Sequence, residues 1–306
     1  MSRKILNFFI SILPSVIFLI MEFAFTIMGM IAYMVLGASF KGVSIDVILD
    51  EMMDIIADPD VNTGIMVVFE SFILITYGFW HHKVISSSEK GVIPKNANII
   101  SVVSVLVIAT GMTLVIGYVT FAEDLMNPAW YDEFEEMMEG AGLGDSMSPL
   151  ALFYAVIMAP LAEELIFRGL TLHYAKKAFP VWIAIIYQAV LFGIFHMNIY
   201  QGIYAFVAGL FMGIVAHYGG SIAWTVLLHM VYNFMESVPL FDLLDHAYDS
   251  YFHFLFVLTV GVLVCMAGLF WFKRGVDRKN TENALYEKLL AQYREEETAG
   301  LSQNTF

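Results

Sequence analysis

The sequence predicts an all-α integral membrane protein of about eight transmembrane helices, with both termini in the cytoplasm. Three observations predict it: an apolar bulk, apolar runs of spanning length, and positive charge confined to alternate connections. Of 306 residues, 59% are hydrophobic and 14% charged, whereas soluble domains carry roughly 25% charged residues. Apolar runs of about 20 residues, each long enough to cross the hydrocarbon core, fall at 5–38, 62–82, 97–121, 148–172, 181–197, 202–218, 222–237 and 253–272. Of the 15 Lys and Arg, 13 lie at the N-terminus, in 81–96, at Lys176 and Lys177, or in the tail from Lys273. Lys41 sits on the other side and Arg168 inside a span. An even number of crossings and this asymmetry agree on orientation.

The first run follows Arg3 and Lys4 but is too long for a cleaved leader and lacks a small-x-small site. It is long enough to tilt or to project beyond the bilayer. The next two runs complete a three-span region, residues 1–147. Its outward segments are acidic, with Asp46, Asp50, Glu51, Asp54, Asp58 and Asp60 in 39–61 and Asp132, Glu133, Glu135 and Glu136 in 122–147. Solvated amphipathic surface helices account for that charge. Residues 148–237 form a second unit in which the last three spans are short and tightly connected, a serpentine that brings their side chains together. A loop and the eighth span occupy 238–272, and 273–306 reads as a charged cytoplasmic tail. The single cysteine, Cys265, excludes a disulfide framework and cysteine-ligated metal, and reads as a packing residue. No phosphate-binding glycine loop or basic nucleic-acid patch is present.

Polar residues inside the second unit carry the chemistry, because ionisable groups at membrane depth are expensive and rare without a task. In the fourth span Glu164 and Arg168 form an i,i+4 pair. They neutralise each other near the cytoplasmic interface, where Arg168 can snorkel. Glu163 is the carboxylate left over, so it faces a wet cavity or carries a proton. Phe192 and His196 close the fifth span. His229 and Asn233, again i,i+4, share one face of the seventh. Gly193 and Gly202 let neighbouring helices approach closely.

Amide hydrolysis fits this set. It needs an activated water, a stabilised oxyanion and a proton for the leaving amine. Glu163 and His196 suit the water; His229 and Asn233 suit the oxyanion. A zinc site built from Glu163, His196 and His229 is the rival use, although the His-Glu-x-x-His helix of zinc proteases is absent and Asn is a poor zinc ligand.

At these residues the chain resembles the CAAX protease and bacteriocin-processing family of intramembrane proteases, which also includes the Abi proteins. Its three motifs are Glu-Glu-x-x-x-Arg, Phe-x-x-x-His and His-x-x-x-Asn. Glu163, Glu164 and Arg168 match the first, Phe192 and His196 the second, and His229 and Asn233 the third. The resemblance spans about 150–237. It implies catalysis by Glu163, His196, His229 and Asn233, with Glu164, Arg168 and Phe192 in support, and no required cofactor or alternatively a divalent metal such as zinc. It further implies a peptide or lipidated-peptide substrate and a multi-pass place in the cell membrane, as in bacterial plasma membranes. The family's bacterial branch is associated with self-immunity, so a non-catalytic immunity or regulatory protein that binds a peptide is the alternative.

Counting rise along straight helices leaves one mismatch. Glu163 lies ~14 Å from Leu172, His229 ~12 Å from the start of its span, and His196 ~22 Å from Val181. Glu22 and Glu70, in the first two spans, read as protonated or hydrogen-bonded between helices. With Glu163 they also offer a proton relay for a transporter, but the inverted halves usual in transporters are absent.

Overall fold

Helix boundaries follow the capping chemistry of the chain. In the computed structural model, which describes residues 3–41, 44, 46–51, 58–85, 94–144, 147–237 and 251–303, no strand occurs among the described residues. Helix α1 (Arg3–Lys41) is followed by α2 (Pro59–Val84), whose first turn is capped by the Asp58 carboxylate accepting from Asp60 N and Val61 N. Asn98 caps α3 (Ile99–Met126) and the amphipathic α4 (Ala129–Gly140) follows. Ser148 and Pro149 start a long composite helix, α5 (Pro149–Ala178). Pro180 opens α6 (Val181–Phe195), Asn198 caps α7 (Ile199–Gly219), and Ser221 caps α8 (Ile222–Glu236). Side-chain oxygens at these positions satisfy backbone N–H groups that a helix start leaves unpaired. A last helix, α9 (Tyr251–Gln303), is 53 residues long and runs from the final apolar segment into the charged tail. Asp54, Lys90, the 238–250 connection and 304–306 lie outside the described residues.

Among the described residues six helices are long and apolar enough to cross a membrane: α1, α2, α3, α5, α7 and α9. Helices α6 and α8 have 15 residues each, ~22 Å of rise against the ~30 Å of a hydrocarbon core. These two carry His196, His229 and Asn233.

Small residues set the distances between helices. A Cβ on Gly193 would lie 2.5 Å from the carbonyl oxygen of Gly202, and one on Gly213 would meet the Gln188 amide at 2.7 Å, so α6 and α7 form a tight antiparallel hairpin. Gln188 is fully buried there and donates to the Gly209 carbonyl at 2.8 Å. On the other flank α9 packs along α3: a Cβ on Gly111 would strike Cys265 Sγ at 2.6 Å, and one on Gly268 would strike Ile108. Cys265 is therefore a packing residue on a close helix–helix seam. Helices α1 and α2 brace α5 from the side, with Tyr77 donating to the Pro14 carbonyl at 2.7 Å and Phe18 stacked edge-on to Phe69.

The α7–α8 turn uses Gly220 in the left-handed region (φ +67°). The turn is sealed by Asn96, whose amide donates to the Gly219 carbonyl at 2.9 Å and whose oxygen accepts from Trp224 Nε1 at 3.0 Å.

The height mismatch from straight-helix counting has its cause in α5, which continues six residues past Leu172 to Ala178. Measured from that end, Glu163 lies ~22 Å in, the same as His196 from Val181.

Candidate active site

Helix α5 holds the centre of the site, and it is not a uniform α-helix. Tyr154–Met158 and Leu165–Thr171 wind as π-helix on either side of a short α-helical turn, Ala159–Glu164. The first wide turn follows from Pro160, which has no N–H to donate. The Ala159 N–H goes back five residues to the Tyr154 carbonyl. The next residue along is Pro160, so the Ala155 carbonyl is skipped by its own helix. Asn233 Nδ2 on α8 donates to that carbonyl at 2.8 Å. One hydrogen of the carboxamide thus repairs a backbone bond broken by a proline on another helix, and the second N–H has no partner among the described residues. Wide turns of this kind are common at functional sites.

Glu163 and Glu164 project from the short turn in different directions and have opposite environments. The Glu164 side chain is fully buried, and its Oε1 accepts from Arg168 Nη1 at 2.7 Å and from His229 Nδ1 at 2.9 Å. Thr225 adds a hydroxyl beside the same carboxylate. Arg168 has no exposed side-chain surface and lies over the Phe192 ring, 4.4 Å from its centroid. The sequence expectation that Arg168 snorkels to the interface is corrected. The guanidinium is held at depth by a carboxylate and a π face, and the Phe192 ring, itself packed edge-on against Phe167, covers the way out.

Glu163 keeps 18% of its side chain accessible. That figure separates the two acids: the sealed one can only orient its neighbours, whereas the open one can meet a substrate. Glu163 Oε2 faces His229 Nε2 at 3.7 Å. This is too long for a direct hydrogen bond and fits a shared water or substrate oxygen held between them.

Histidine tautomers follow from their partners. His196 Nδ1 lies 2.8 Å from the Phe192 carbonyl, which can only accept, so Nδ1 carries the hydrogen and Nε2 is the nitrogen left with its lone pair in the neutral ring. His196 ends α6, and the turn is completed by Met197 at φ +52°, a left-handed conformation uncommon for a residue with a side chain. Its ring stands edge-on to Phe192, 4.9 Å between centroids, and within electrostatic reach of Glu163 and His229. His229 likewise spends Nδ1 on Glu164 and presents Nε2 to Glu163. Glu164 therefore orients His229 as an outer carboxylate orients an active-site imidazole.

All seven residues singled out in the sequence converge on one region. Glu163, His229, Glu164, Arg168 and Phe192 are linked in that order by successive contacts, His196 stands edge-on to Phe192, and Asn233 sits one turn beyond His229. Glu163 makes its ion contact with His229 rather than with His196. The sequence reading overlooked Tyr154 and Tyr204, phenols within electrostatic reach of Glu163. It also overlooked Thr225 and the Asn233–Ala155 bond. Pro160 was the available signal for that bond, because a proline inside a span frees a carbonyl that needs a donor. Among the described residues no three His, Cys, Asp or Glu side chains are arranged to hold a metal ion.

Residues 145–235 match the family model of Rce1-like proteins, described as type II CAAX prenyl endopeptidase Rce1-like. The match spans all three motifs and helices α5 to α8, so the resemblance drawn from the motifs holds over this segment, and the chain carries an Rce1-like domain. No curated protein and no solved structure matches the chain.

Proposed function

We propose that this chain is an intramembrane endopeptidase that hydrolyses a peptide bond of a membrane-associated or lipid-linked peptide. The observation that carries the reading is the division of labour between adjacent acids. Glu164 is sealed and holds both Arg168 and His229, while Glu163 is accessible and faces the free nitrogen of that same histidine across 3.7 Å.

In this reading a water lies between Glu163 and His196 Nε2. Glu163 takes its proton as the oxygen adds to the scissile carbonyl carbon. Charge develops on the carbonyl oxygen, where His229, carrying hydrogens on both nitrogens, donates from Nε2, and Asn233 donates through its second Nδ2–H. The carbon–nitrogen bond then breaks, and Glu163 returns the proton to the departing amine, leaving a carboxylic acid and an amine. Glu164 and Arg168 touch no reacting atom and hold His229 in place. No step needs a metal. A zinc ion on Glu163, His196 and His229 is the alternative, and the arrangement of these side chains does not favour it.

The chain acts as a multi-pass membrane protein with eight passes, in which α6 and α8 complete the crossing as short helices, and with both termini cytoplasmic.

Mass spectrometry of membrane peptides tests the reading, comparing cells that carry the natural chain with cells that carry Glu163→Ala. New peptide termini present with the natural chain and lost with Glu163→Ala are expected. Identical termini in both would refute it, and full biological activity in Glu163→Gln would favour a binding protein without hydrolysis.

A further inference from the structure

Helix α8 carries two site residues, and two stripes along it meet different neighbours. His229 and Asn233 face α5, where His229 bonds the Glu164 carboxylate and Asn233 the Ala155 carbonyl. Trp224, Leu228 and Tyr232, again four apart, are buried in one core with Met112 of α3 and Phe272 of α9. Apolar packing is non-directional, so it fixes the depth and rotation of a helix less sharply than hydrogen bonds do.

Asn96 supplies the directional bonds on that side. It is 8% exposed and lies in the segment before α3. Its amide donates to the Gly219 carbonyl at 2.9 Å, and its oxygen accepts from Trp224 Nε1 at 3.0 Å, so both bonds end at the α7–α8 junction. The line continues to the last helix. Asn98 Nδ2 donates to the Asn96 carbonyl at 3.0 Å and to the Gly275 carbonyl of α9 at 2.9 Å. Further along α9, Asn283 donates to the Lys95 carbonyl at 2.8 Å. Ring packing runs beside these bonds, with Trp224 edge-on to Phe272 at 5.2 Å between centroids. Gly219 leaves both rings their place, since a Cβ there would lie 2.6 Å from Trp224 and 3.2 Å from Phe272.

Helix α9 is in turn seated on α3. A Cβ on Gly261 would meet Leu114 at 2.8 Å, and one on Gly275 would meet Ser101 Oγ at 2.8 Å. Helices α3 and α9 and the segment 95–98 therefore form one block, and hydrogen bonds join that block to the start of α8. Trp224 stands five residues before His229, a rise of ~7.5 Å along one rigid helix. A shift at the junction is thus carried to the 3.7 Å gap between His229 Nε2 and Glu163 Oε2.

We propose that Asn96 is a positioning residue for His229: it locks Trp224 and the α7–α8 turn to the block of α3 and α9 and so sets the distance of His229 from Glu163. Asn96 acts only through His229. The consequence for turnover rests on the endopeptidase reading, whereas the consequence for the His229 ring does not.

The test is solid-state NMR of the full-length protein in liposomes, with isotopically labelled histidine ring nitrogens. The His229 signals are identified by their loss in His229→Gln. Trp224→Phe keeps an aromatic ring against Phe272 and removes the N–H that Asn96 accepts. It should move both His229 nitrogen signals and lower kcat by roughly 10- to 10²-fold, the effect of a misplacement of about 1 Å, with KM little changed. Asn96→Ala should move the signals further, and adding Trp224→Phe to it should move them no more, because the two residues act as one unit. Tyr77→Phe is the control. It removes a buried hydrogen bond between α2 and α1, so it should lower the melting temperature and leave the His229 signals in place. Should Asn96→Ala fail to fold, Trp224→Phe still carries the test. Unmoved signals in Trp224→Phe overturn the proposal, as do signals that move as far in Tyr77→Phe; Asn96 then serves stability alone. Signals that move as expected, in a chain that generates no new peptide termini, would remove the endopeptidase reading and leave the positioning standing.

Discussion

At the scale of single residues, adjacent acids in one sequence motif have different jobs, and exposure decides which. Glu164→Gln removes the charge that holds a fully buried guanidinium and the acceptor that orients His229. Breaking a buried pair from one side costs about 3–5 kcal/mol, so this variant should lose stability as well as turnover, read as a fall in melting temperature. Glu163→Gln breaks no buried pair and should melt with the natural chain. In the proposed mechanism Asn233 donates to the oxyanion, so Asn233→Ala should lower kcat by roughly 10²–10³-fold, measured in reconstituted liposomes with KM little changed.

All the motif residues but Phe192 were legible in the sequence as polar groups at membrane depth, and the i,i+4 pairs are a property of any helix. The fate of Arg168 was not legible. Spacing places it on the face of Glu164 but cannot show that the Phe192 ring from another helix lies over it. Nor could spacing choose between the two readings of Glu70, protonated or hydrogen-bonded between helices; its Oε2 has no partner among the described residues.

At the scale of elements, α5 couples backbone geometry to the site. Pro160 leaves the Ala155 carbonyl without a donor from its own helix, and Asn233 supplies one. Pro160→Ala restores an N–H and lets this stretch wind as an ordinary α-helix. The stability cost of Asn233→Ala should therefore shrink in the Pro160→Ala background, a non-additivity that a double-mutant cycle on melting free energies would detect. Equal cost in both backgrounds would show that the amide is not repairing that carbonyl. The α6–α7 hairpin gives a second test. Gly193→Ala pushes a methyl group into the backbone carbonyl of Gly202, which cannot move aside as a flexible side chain can. Overpacking of this kind costs about 1–3 kcal/mol, and it should displace His196 and lower turnover together with stability.

Element boundaries were the weaker part of the sequence reading. Lys176 and Lys177 suggest that the fourth span stops near Leu172, yet the helix carries them on its last turn to Ala178. The runs at 181–197 and 222–237 fold as 15-residue helices. Hydropathy finds apolar segments, but whether a segment spans by itself depends on the neighbours that cover its ends, here the Asn96 plug over the α7–α8 turn.

For the whole molecule, the account is of a helical membrane protein built to keep one carboxylate wet in an apolar body. Helices α1 and α2 brace α5, the α6–α7 hairpin carries one histidine to it, and α8 carries the other with an amide. The three-span region is then more than an anchor, since two of its helices, α1 and α2, pack directly against α5. The central claim is that Glu163 activates the water while the rest of the fold is indifferent to its charge. The most direct measurement is the rate of product formation by purified Glu163→Gln in liposomes, on a peptide the natural chain cleaves, at matched melting temperature. The account predicts a loss of at least about 10²-fold, the usual contribution of a positioned general base. Turnover within a few-fold of the natural chain would contradict it.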